Sequence, residues 1–307
     1  MDSITYQSLV TKLLSDFNDY FQTSVRHSLH NWTMLQTMLG YHLGWNSIDG
    51  TPQQSNPGKQ IRPLLALLSC GASGGDPQSA WPMAAAIEML HNFSLIHDDV
   101  MDISEKRRGR EAVWKIWGTN QAINVGDGAY GLSFQLLADA ENAEPQTIVY
   151  AQRILSKACV DTVYGQMLDI SFEDRDDVTS AEYIQMVGLK TGPLLGAALA
   201  GGALFAQRPY EEALALAEIG REVGVIFQMQ DDILGIWGQT AKTGKSANDD
   251  LTAKKKSYPI IWALENLAPQ YQQMIKDWYS LPAPLPIHIT KQMRQLLTEQ
   301  NVEQSII

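Results

Sequence analysis

Apolar residues recur at three- and four-residue steps along nearly the whole chain of 307 residues, and this helical period constrains the fold more than any other feature. Between residues 4 and 30, Leu9, Leu13 and Phe17 mark one such face. Further apolar helical runs cover 60–73, 80–103, 119–142, 146–171, 180–206 and 210–236. No stretch shows the period-two alternation of strands or a hairpin signal. The sequence therefore predicts an all-α fold.

The runs also indicate how the helices are arranged along the chain. Residues 83–90 are apolar around most of the helix circumference, which is typical of a helix inside a bundle. The clearest loop covers 45–58, and no linker of disordered composition divides the chain. We predict one domain over 1–307. It comprises an N-terminal helical region and loop over 1–57, a motif-bearing core over 58–267 and C-terminal helices over 268–307.

Composition excludes several classes of function. The formal net charge of −11 argues against a nucleic-acid binder, although cations focused in one cleft would still attract a small anion. Cys70 and Cys159 are the only cysteines and do not form a CxxC pair, which argues against a disulfide framework or a thiolate metal site. The N-terminus has no secretory pattern, and the apolar stretch 194–206 is shorter than the ~20 residues of a membrane span. We expect a cytoplasmic protein without a membrane anchor.

The sequence HNFSLIHDDVMD (91–102) places three carboxylates close together. On a helix, Asp98 and Asp102 share one face and Asp99 lies beside them. Such carboxylates repel one another unless a cation lies between them, and an all-oxygen ligand set favours Mg²⁺ over zinc. Taken alone, the same pattern also fits a solvated acidic turn at a helix end.

A second acidic motif, FQMQDDILG (227–235), follows another apolar helical run and contains Asp231 and Asp232. Two such motifs on separate helices fit a site for several metal ions and a diphosphate, because Mg²⁺ is usually held by one or two carboxylates together with substrate phosphates. Basic residues stand near the same motifs, as a diphosphate site requires. They are Lys59, Arg62, Arg107, Arg108, Lys190, Lys245, Lys254, Lys255 and Lys256. Each one alone is typical of a solvated surface, and only the whole set indicates a diphosphate site.

These elements, in this order, resemble the trans-isoprenyl diphosphate synthases, the family of farnesyl and geranylgeranyl diphosphate synthases. The resemblance runs from about Gly58 to Pro259. The matching elements are GKQIRP, HNFSLIHDDVMD, RRG, GDGAY, GQMLD, KTG, FQMQDDILG, TGKS and DLTAKKKSYP. The resemblance implies an all-α bundle around a deep central cavity, usually in a homodimer, with about three Mg²⁺ ions in each site.

The resemblance also implies a role for each matching residue, as follows. The metal ligands would be Asp98, Asp102 and Asp231, with Asp99 and Asp232 beside them in the catalytic motifs. The allylic diphosphate would contact Arg107, Lys190, Lys245 and Lys255. The isopentenyl diphosphate pocket would contain Lys59, Arg62, His91 and Arg108. Thr191 and Gln228 would line the reacting carbons and, with Lys190, act in catalysis.

The implied reaction is head-to-tail condensation of isopentenyl diphosphate with dimethylallyl, geranyl or farnesyl diphosphate. In this family, side chains just before the first motif set product length. Here Phe93 and Ser94 stand five and four residues before Asp98, and one aromatic followed by a small residue resembles synthases of the twenty-carbon geranylgeranyl diphosphate. A fifteen-carbon farnesyl product is the alternative.

Some positions depart from the family pattern. Gly235 stands where the second motif usually has a third aspartate, which predicts weakened or rearranged metal binding. Gln60 and Glu111 replace a common arginine and a common proline. A class I terpene cyclase remains an alternative, although NDDLTAKKK ends in Lys256 where a cyclase would have glutamate. Further alternatives are a non-catalytic regulatory subunit of the same fold, which would be expected to have lost the first motif, and a synthase that condenses two identical diphosphates.

Overall fold

The structure, a computed structural model, describes residues 3–173, 175–238 and 249–307. About 75% of it is helical, which confirms the predicted all-α fold. The helices of the first half are α1 Ser3–Ser28, α2 Thr33–His42, α3 Ile61–Ala72, α4 Trp81–Met101, α5 Val113–Trp117 and α6 Thr119–Ala138, with a 3₁₀ turn at Pro77–Ala80. Those that follow are α7 Pro145–Glu173, α8 Ser180–Lys190, α9 Gly192–Phe205, α10 Tyr210–Trp237, α11 Asp249–Thr252, α12 Tyr258–Asn266, α13 Pro269–Tyr279, α14 Ile287–Glu299 and α15 Val302–Ile306.

Two local predictions were wrong. The run 180–206 is divided into α8 and α9 at Thr191, because Pro193 has no N–H to donate and cannot continue the hydrogen bonds of α8. A short hairpin also exists, in which β1 Lys106–Arg107 pairs with β2 Arg110–Glu111. Its two-residue turn has positive φ at both Arg108 (53°) and Gly109 (80°), the backbone that a tight hairpin turn requires. Strands this short leave no period-two pattern in the sequence.

Contacts divide the chain into two compact units. The first unit comprises 1–159 and 194–220, and the second comprises 160–193 and 221–307. In the first unit, α4 packs along α6 and α3, and its small residues allow close packing. Gly202 of α9 approaches α3 so closely that an added Cβ would lie 2.2 Å from the carbonyl oxygen of Ala66. This approach explains a glycine inside a helix, where it otherwise costs stability.

The second unit has two apolar clusters. One includes Ile236, Ile260 and Leu297, and the other surrounds Tyr183 between the end of α7, α8 and α12. A capping box fixes the start of α8, in which Thr179 accepts from the backbone N–H of Glu182 and the Glu182 carboxylate accepts from that of Thr179. Among the described residues, no single helix is apolar and long enough to cross a membrane, and α8 with α9 reaches that length only as a bent pair.

Candidate active site

The first aspartate motif forms the last turn of α4. Asp98 is partly exposed and Asp102, the C-cap residue, is exposed, while Asp99 keeps only 1% of its surface accessible. Arg107 donates to Asp99 Oδ1 from Nε at 3.0 Å and from Nη2 at 2.5 Å. Burial raises the pKa of Asp99, and Arg107 opposes that shift. The other oxygen, Oδ2, is buried without a hydrogen-bond partner.

The hairpin after α4 positions the two neighbouring arginines. The positive φ at Arg108 turns the chain so that Arg107 bonds Asp99, while Arg108 Nη2 lies 3.4 Å from Asn92 Oδ1. Arg110, the first residue of β2, donates to the backbone carbonyls of Tyr41 and Asn46 at 3.0 and 2.8 Å. These bonds attach the hairpin to the last turn of α2 and to the loop after it.

Asn92 lies at the centre of a buried polar network in the first unit. Its Oδ1 accepts from His42 Nε2 at 3.1 Å, and its Nδ2 donates to the carbonyl and carboxylate oxygens of Glu88 at 2.8 and 3.2 Å. Burial raises the pKa of Glu88, and Arg108 and Arg62 oppose that shift. Burial, followed by the charge of Arg108, lowers the pKa of His42 to about 3, so the imidazole is neutral at neutral pH.

The predicted isopentenyl diphosphate residues partly meet in this network. Arg62, in the first turn of α3, donates from Nη1 to His91 Nε2 at 3.2 Å. Burial lowers the pKa of His91 well below its usual value, with Arg62 as the next cause, so the ring is a neutral acceptor. Lys59 is exposed on the preceding loop. A pocket in the same unit is lined by residues that include Tyr41, His42, Asn56, Arg107, Arg108 and Arg110.

Phe93 and Ser94, the predicted chain-length residues, lie one helical turn before the aspartates. The Phe93 ring contacts the rings of His97 and Tyr130, with centroids 4.8 and 5.4 Å apart. Ser94 is partly buried, and its hydroxyl donates to the His91 carbonyl at 2.8 Å. Phe93 therefore belongs to an aromatic cluster between α4 and α6, and Ser94 adds little volume beside it.

The second aspartate motif, on α10, repeats the division between an outer and an inner carboxylate. Asp231 is exposed, whereas Asp232 keeps 1% of its surface accessible. Asp232 Oδ1 accepts from Gln228 Nε2 at 3.0 Å and from Lys255 Nζ at 3.3 Å. Its Oδ2 accepts from the Tyr183 hydroxyl at 2.5 Å and from the backbone N–H of Tyr258 at 2.9 Å.

The other predicted residues of the second unit lie around the end of α8. Thr191, buried, donates from Oγ1 to Gln228 Oε1 at 3.2 Å. Lys190 Nζ pairs with Asp169 Oδ2 at 2.5 Å. An added Cβ on Gly165 would lie 2.3 Å from the Lys190 backbone nitrogen, so α7 and α8 meet at van der Waals contact here. Lys245, a predicted contact of the allylic diphosphate, lies outside the described residues.

Sequence reasoning missed the residues that support the predicted ones. They are His42, Glu88, Asn92, Arg110, Asp169 and Tyr183. Glu88 did carry a signal, because it is the one charged residue in the apolar run MAAAIEML. A glutamate inside a helix that is apolar all round needs a buried partner.

Comparison with known proteins identifies the family of this chain. A sequence model described as "Polyprenyl synthetase" matches residues 51–296. The chain belongs to the polyprenyl synthetase family.

Two relatives from Mycobacterium tuberculosis strain H37Rv show the range of named products among similar proteins. The chain is 40% identical over 230 residues to a protein named (2E,6E)-farnesyl diphosphate synthase, covering 75% of this chain and 63% of that protein. It is 39% identical over 232 residues to a geranylgeranyl diphosphate synthase, covering 76% and 66%. The chain thus spans less than two thirds of the length of these relatives. A polyprenyl synthetase from Streptomyces coelicolor matches in structure with a TM-score of 0.89 and 33% identity, over 98% of this chain and 88% of that one.

Magnesium is the metal that the resemblance to this polyprenyl synthetase family implies, and the donor chemistry fits it. In the first unit, Asp98 in the last turn of α4 and Asp102 at its C-cap are carboxylates, and in the second unit Asp231 of α10 is another. Among the described residues, no three or more His, Cys, Asp or Glu are grouped so that they could hold a metal ion. Mg²⁺ usually binds one or two carboxylates and takes its remaining ligands from phosphates and water.

Proposed function

We propose that this polyprenyl synthetase family member condenses isopentenyl diphosphate with an allylic diphosphate, head to tail, and releases a longer prenyl diphosphate. The observation that carries the proposal is the shared design of the two aspartate motifs. The first motif has two outer carboxylates and the second has one, and these are exposed or partly exposed. In each motif a buried inner carboxylate binds a cationic side chain, Asp99 binding Arg107 and Asp232 binding Lys255. Metal-binding oxygens beside fixed cations form a site suited to a diphosphate leaving group.

The proposed roles are those that the family resemblance implies. Asp98, Asp102 and Asp231 would hold Mg²⁺, which when bound neutralises charge that develops on the departing diphosphate. Arg107, Lys190, Lys245 and Lys255 would contact the allylic diphosphate. Lys59, Arg62, His91 and Arg108 would bind isopentenyl diphosphate.

The reaction itself needs little covalent participation by the protein. The allylic C–O bond ionises, and the isopentenyl double bond attacks the carbon that becomes cationic. Loss of a proton, for which the departing diphosphate is the base, then restores an allylic diphosphate. Thr191 and Gln228 have oxygen atoms that would stabilise the allylic cation. Gln228 Oε1 accepts a hydrogen bond from the Thr191 hydroxyl.

We propose geranylgeranyl diphosphate, with twenty carbons, as the main product. Ser94 lies one turn before Asp98 on α4 and is small, so it obstructs little of the space beside the Phe93 cluster. Farnesyl diphosphate, with fifteen carbons, is the second candidate, supported by the similarity to the mycobacterial farnesyl diphosphate synthase. A cytoplasmic homodimer is the form in which we propose that the protein acts, on the basis of the family resemblance, and sedimentation of the purified chain tests the dimer.

The test is a product assay. The purified chain is incubated with isopentenyl diphosphate and each allylic starter, with and without Mg²⁺, and products are identified by mass before and after phosphatase treatment. We expect a Mg²⁺-dependent twenty-carbon diphosphate. A hydrocarbon formed without isopentenyl diphosphate would identify a cyclase, and the absence of turnover would favour a regulatory subunit.

A pair of variants tests the product-length proposal within the same assay. Ser94→Phe should shorten the main product to fifteen carbons, because the ring fills about one more turn of the space along α4. Ser94→Ala removes the hydroxyl without adding volume and should leave product length unchanged. An unaltered product from Ser94→Phe would contradict the role given to this position.

A further inference from the structure

Asp232 has no accepting capacity left over. Its two carboxylate oxygens accept four hydrogen bonds, from Gln228, Lys255, Tyr183 and the backbone of Tyr258. A carboxylate has about four lone-pair sites, so this set fills them. Asp231, the neighbouring residue, is exposed. Asp232 therefore acts within the protein, and its effect on a ligand must pass through the groups that it holds.

Tyr183 is the most buried of the donors to Asp232. It keeps 2% of its surface accessible and packs among Phe172, Val178, Met186 and Ile261. Burial, with the Asp232 charge as the next cause, raises the pKa of Tyr183, so the hydroxyl is protonated and donates at neutral pH. The capping box at Thr179 fixes the first turn of α8, which carries this side chain.

The hydrogen bonds determine which way the Gln228 amide faces. Because the Asp232 carboxylate only accepts, the group of Gln228 that bonds it must be the NH₂ group. The carbonyl oxygen Oε1 is then left on the other side of the amide, where it accepts from Thr191. Gln228 and Asp232 are four residues apart on α10 and share a face, which makes this bond compatible with the helix.

We propose that Tyr183 and Asp232 form a positioning pair that holds Gln228 with its carbonyl oxygen, rather than its NH₂ group, presented beside Thr191 to the allylic cation. This inference rests on the proposed function. Neither residue of the pair touches substrate. A carbonyl oxygen stabilises a developing positive charge, and an NH₂ group would oppose it, so the orientation of one amide affects the transition state. Tyr183 stabilises that orientation by fixing Asp232 in place.

The test uses two analogues of the allylic diphosphate, whose binding is measured by calorimetry with Mg²⁺ present. One carries a protonated amine at the position of the cationic carbon, and the other is uncharged there. Tyr183→Phe removes only the hydroxyl. We expect it to weaken binding of the amine analogue about tenfold, which is ~1.4 kcal/mol, and binding of the uncharged analogue less than twofold. Equal weakening of both would overturn the inference, because it would indicate a general structural role.

A double-mutant comparison adds a second readout. If Tyr183 acts through Gln228, the amine analogue should bind Gln228→Leu and the double variant Tyr183→Phe/Gln228→Leu equally well. Additive losses would contradict the inference. Tyr271→Phe, which changes a partly buried tyrosine of α13 in the same unit, is the matched control and should bind both analogues like the unchanged chain.

The two levels of proposal fail in different ways. If the unchanged chain bound neither analogue, both the proposed function and this inference would be overturned. If the unchanged chain bound both analogues, and Tyr183→Phe bound each of them as tightly as the unchanged chain does, only the inference would be overturned.

Discussion

The two aspartate motifs are alike in burial and differ in what the buried carboxylate does. Asp99 and Asp232 each keep 1% of their surface accessible, while the neighbouring carboxylates of both motifs are partly or fully exposed. Asp99 bonds one cation, Arg107, through one oxygen, and its other oxygen has no hydrogen-bond partner. Asp232 accepts four bonds. The second aspartate of the Asp-Asp pair thus binds a single arginine in the first unit and is the centre of a hydrogen-bond network in the second.

Their surroundings differ in the same direction. The network near the first motif contains two arginines, two neutral histidines and the buried carboxyl group of Glu88, whereas the network of the second motif is built from tyrosine, amide and lysine groups. The first motif's surroundings therefore hold His42 and His91 neutral by burial, and unfolding exposes both rings to protonation. Four measurements test this contrast.

The largest effect is expected at an outer aspartate. Asp98→Asn keeps the size of the side chain but removes the charge of a proposed metal ligand. It should lower prenyl diphosphate formation roughly 10²–10³-fold, because charge on the leaving diphosphate loses its stabilisation. Initial rates over a range of Mg²⁺ concentrations measure this effect. Asp19→Asn, an exposed aspartate of α1, is the control. Activity of Asp98→Asn within threefold of the unchanged chain would remove the first motif from the proposed metal site.

The next effect separates the two units by pH. The pKa of His42 is lowered to about 3 in the fold, so the ring is neutral there but takes up a proton in the unfolded chain below about pH 6.5. Its contribution to stability is complete above that pH and is lost as pH falls towards 3, at up to about 1.4 kcal/mol per pH unit. The free energy of unfolding of the unchanged chain should therefore fall between pH 6.5 and pH 4.

Two variants test whether His42 causes this pH dependence of the free energy of unfolding. His42→Asn should make the free energy of unfolding fall less steeply with decreasing pH, whatever its effect at neutral pH. His288→Asn alters an exposed histidine of the second unit and should leave the slope unchanged. Equal slopes for the unchanged chain and His42→Asn would show that the fold does not hold His42 neutral.

The third effect compares inner with outer aspartates by stability. Asp232→Asn leaves buried donors without an acceptor and should lower the free energy of unfolding by roughly 1–3 kcal/mol. Asp231→Asn alters an exposed group and should change it by no more than about 0.5 kcal/mol. Denaturant unfolding midpoints measure both changes, provided that the free energy of unfolding depends on denaturant concentration with the same slope in each protein. The contrast fails if the two variants unfold at the same midpoint.

Features that depend on residues close together in the sequence were predicted better than features that depend on residues far apart in it. Helical periodicity is local, and it predicted the helices well, including α10, expected at 210–236 and found at Tyr210–Trp237. The predictions missed the break at Thr191 and the hairpin at 106–111, because one proline causes the first and one two-residue turn the second. Neither feature produces a periodic signal.

The site was predictable in its residue types and not in its internal order. Asp98 and Asp99 are adjacent in sequence, so no spacing rule distinguishes the outer carboxylate from the buried one, and the position of Arg107 decides it. His42 bonds Asn92 across 50 positions, a pairing that only the packing of α2 near α4 creates. Tyr183 was missed for the same reason, since its partner Asp232 is 49 residues away.

The smallest effect is expected at the position where the motifs differ in sequence. Gly235 stands four residues after Asp231 on α10, and in the first motif Asp102 stands four residues after Asp98. Gly235→Asp would add a carboxylate on the same helical face as Asp231, so the Mg²⁺ concentration for half-maximal activity should fall a few-fold. Gly235→Asn matches it in size and backbone effect without the charge. If both variants shifted the Mg²⁺ dependence equally, the cause would be the helix backbone, and the missing third aspartate would not explain the difference between the motifs.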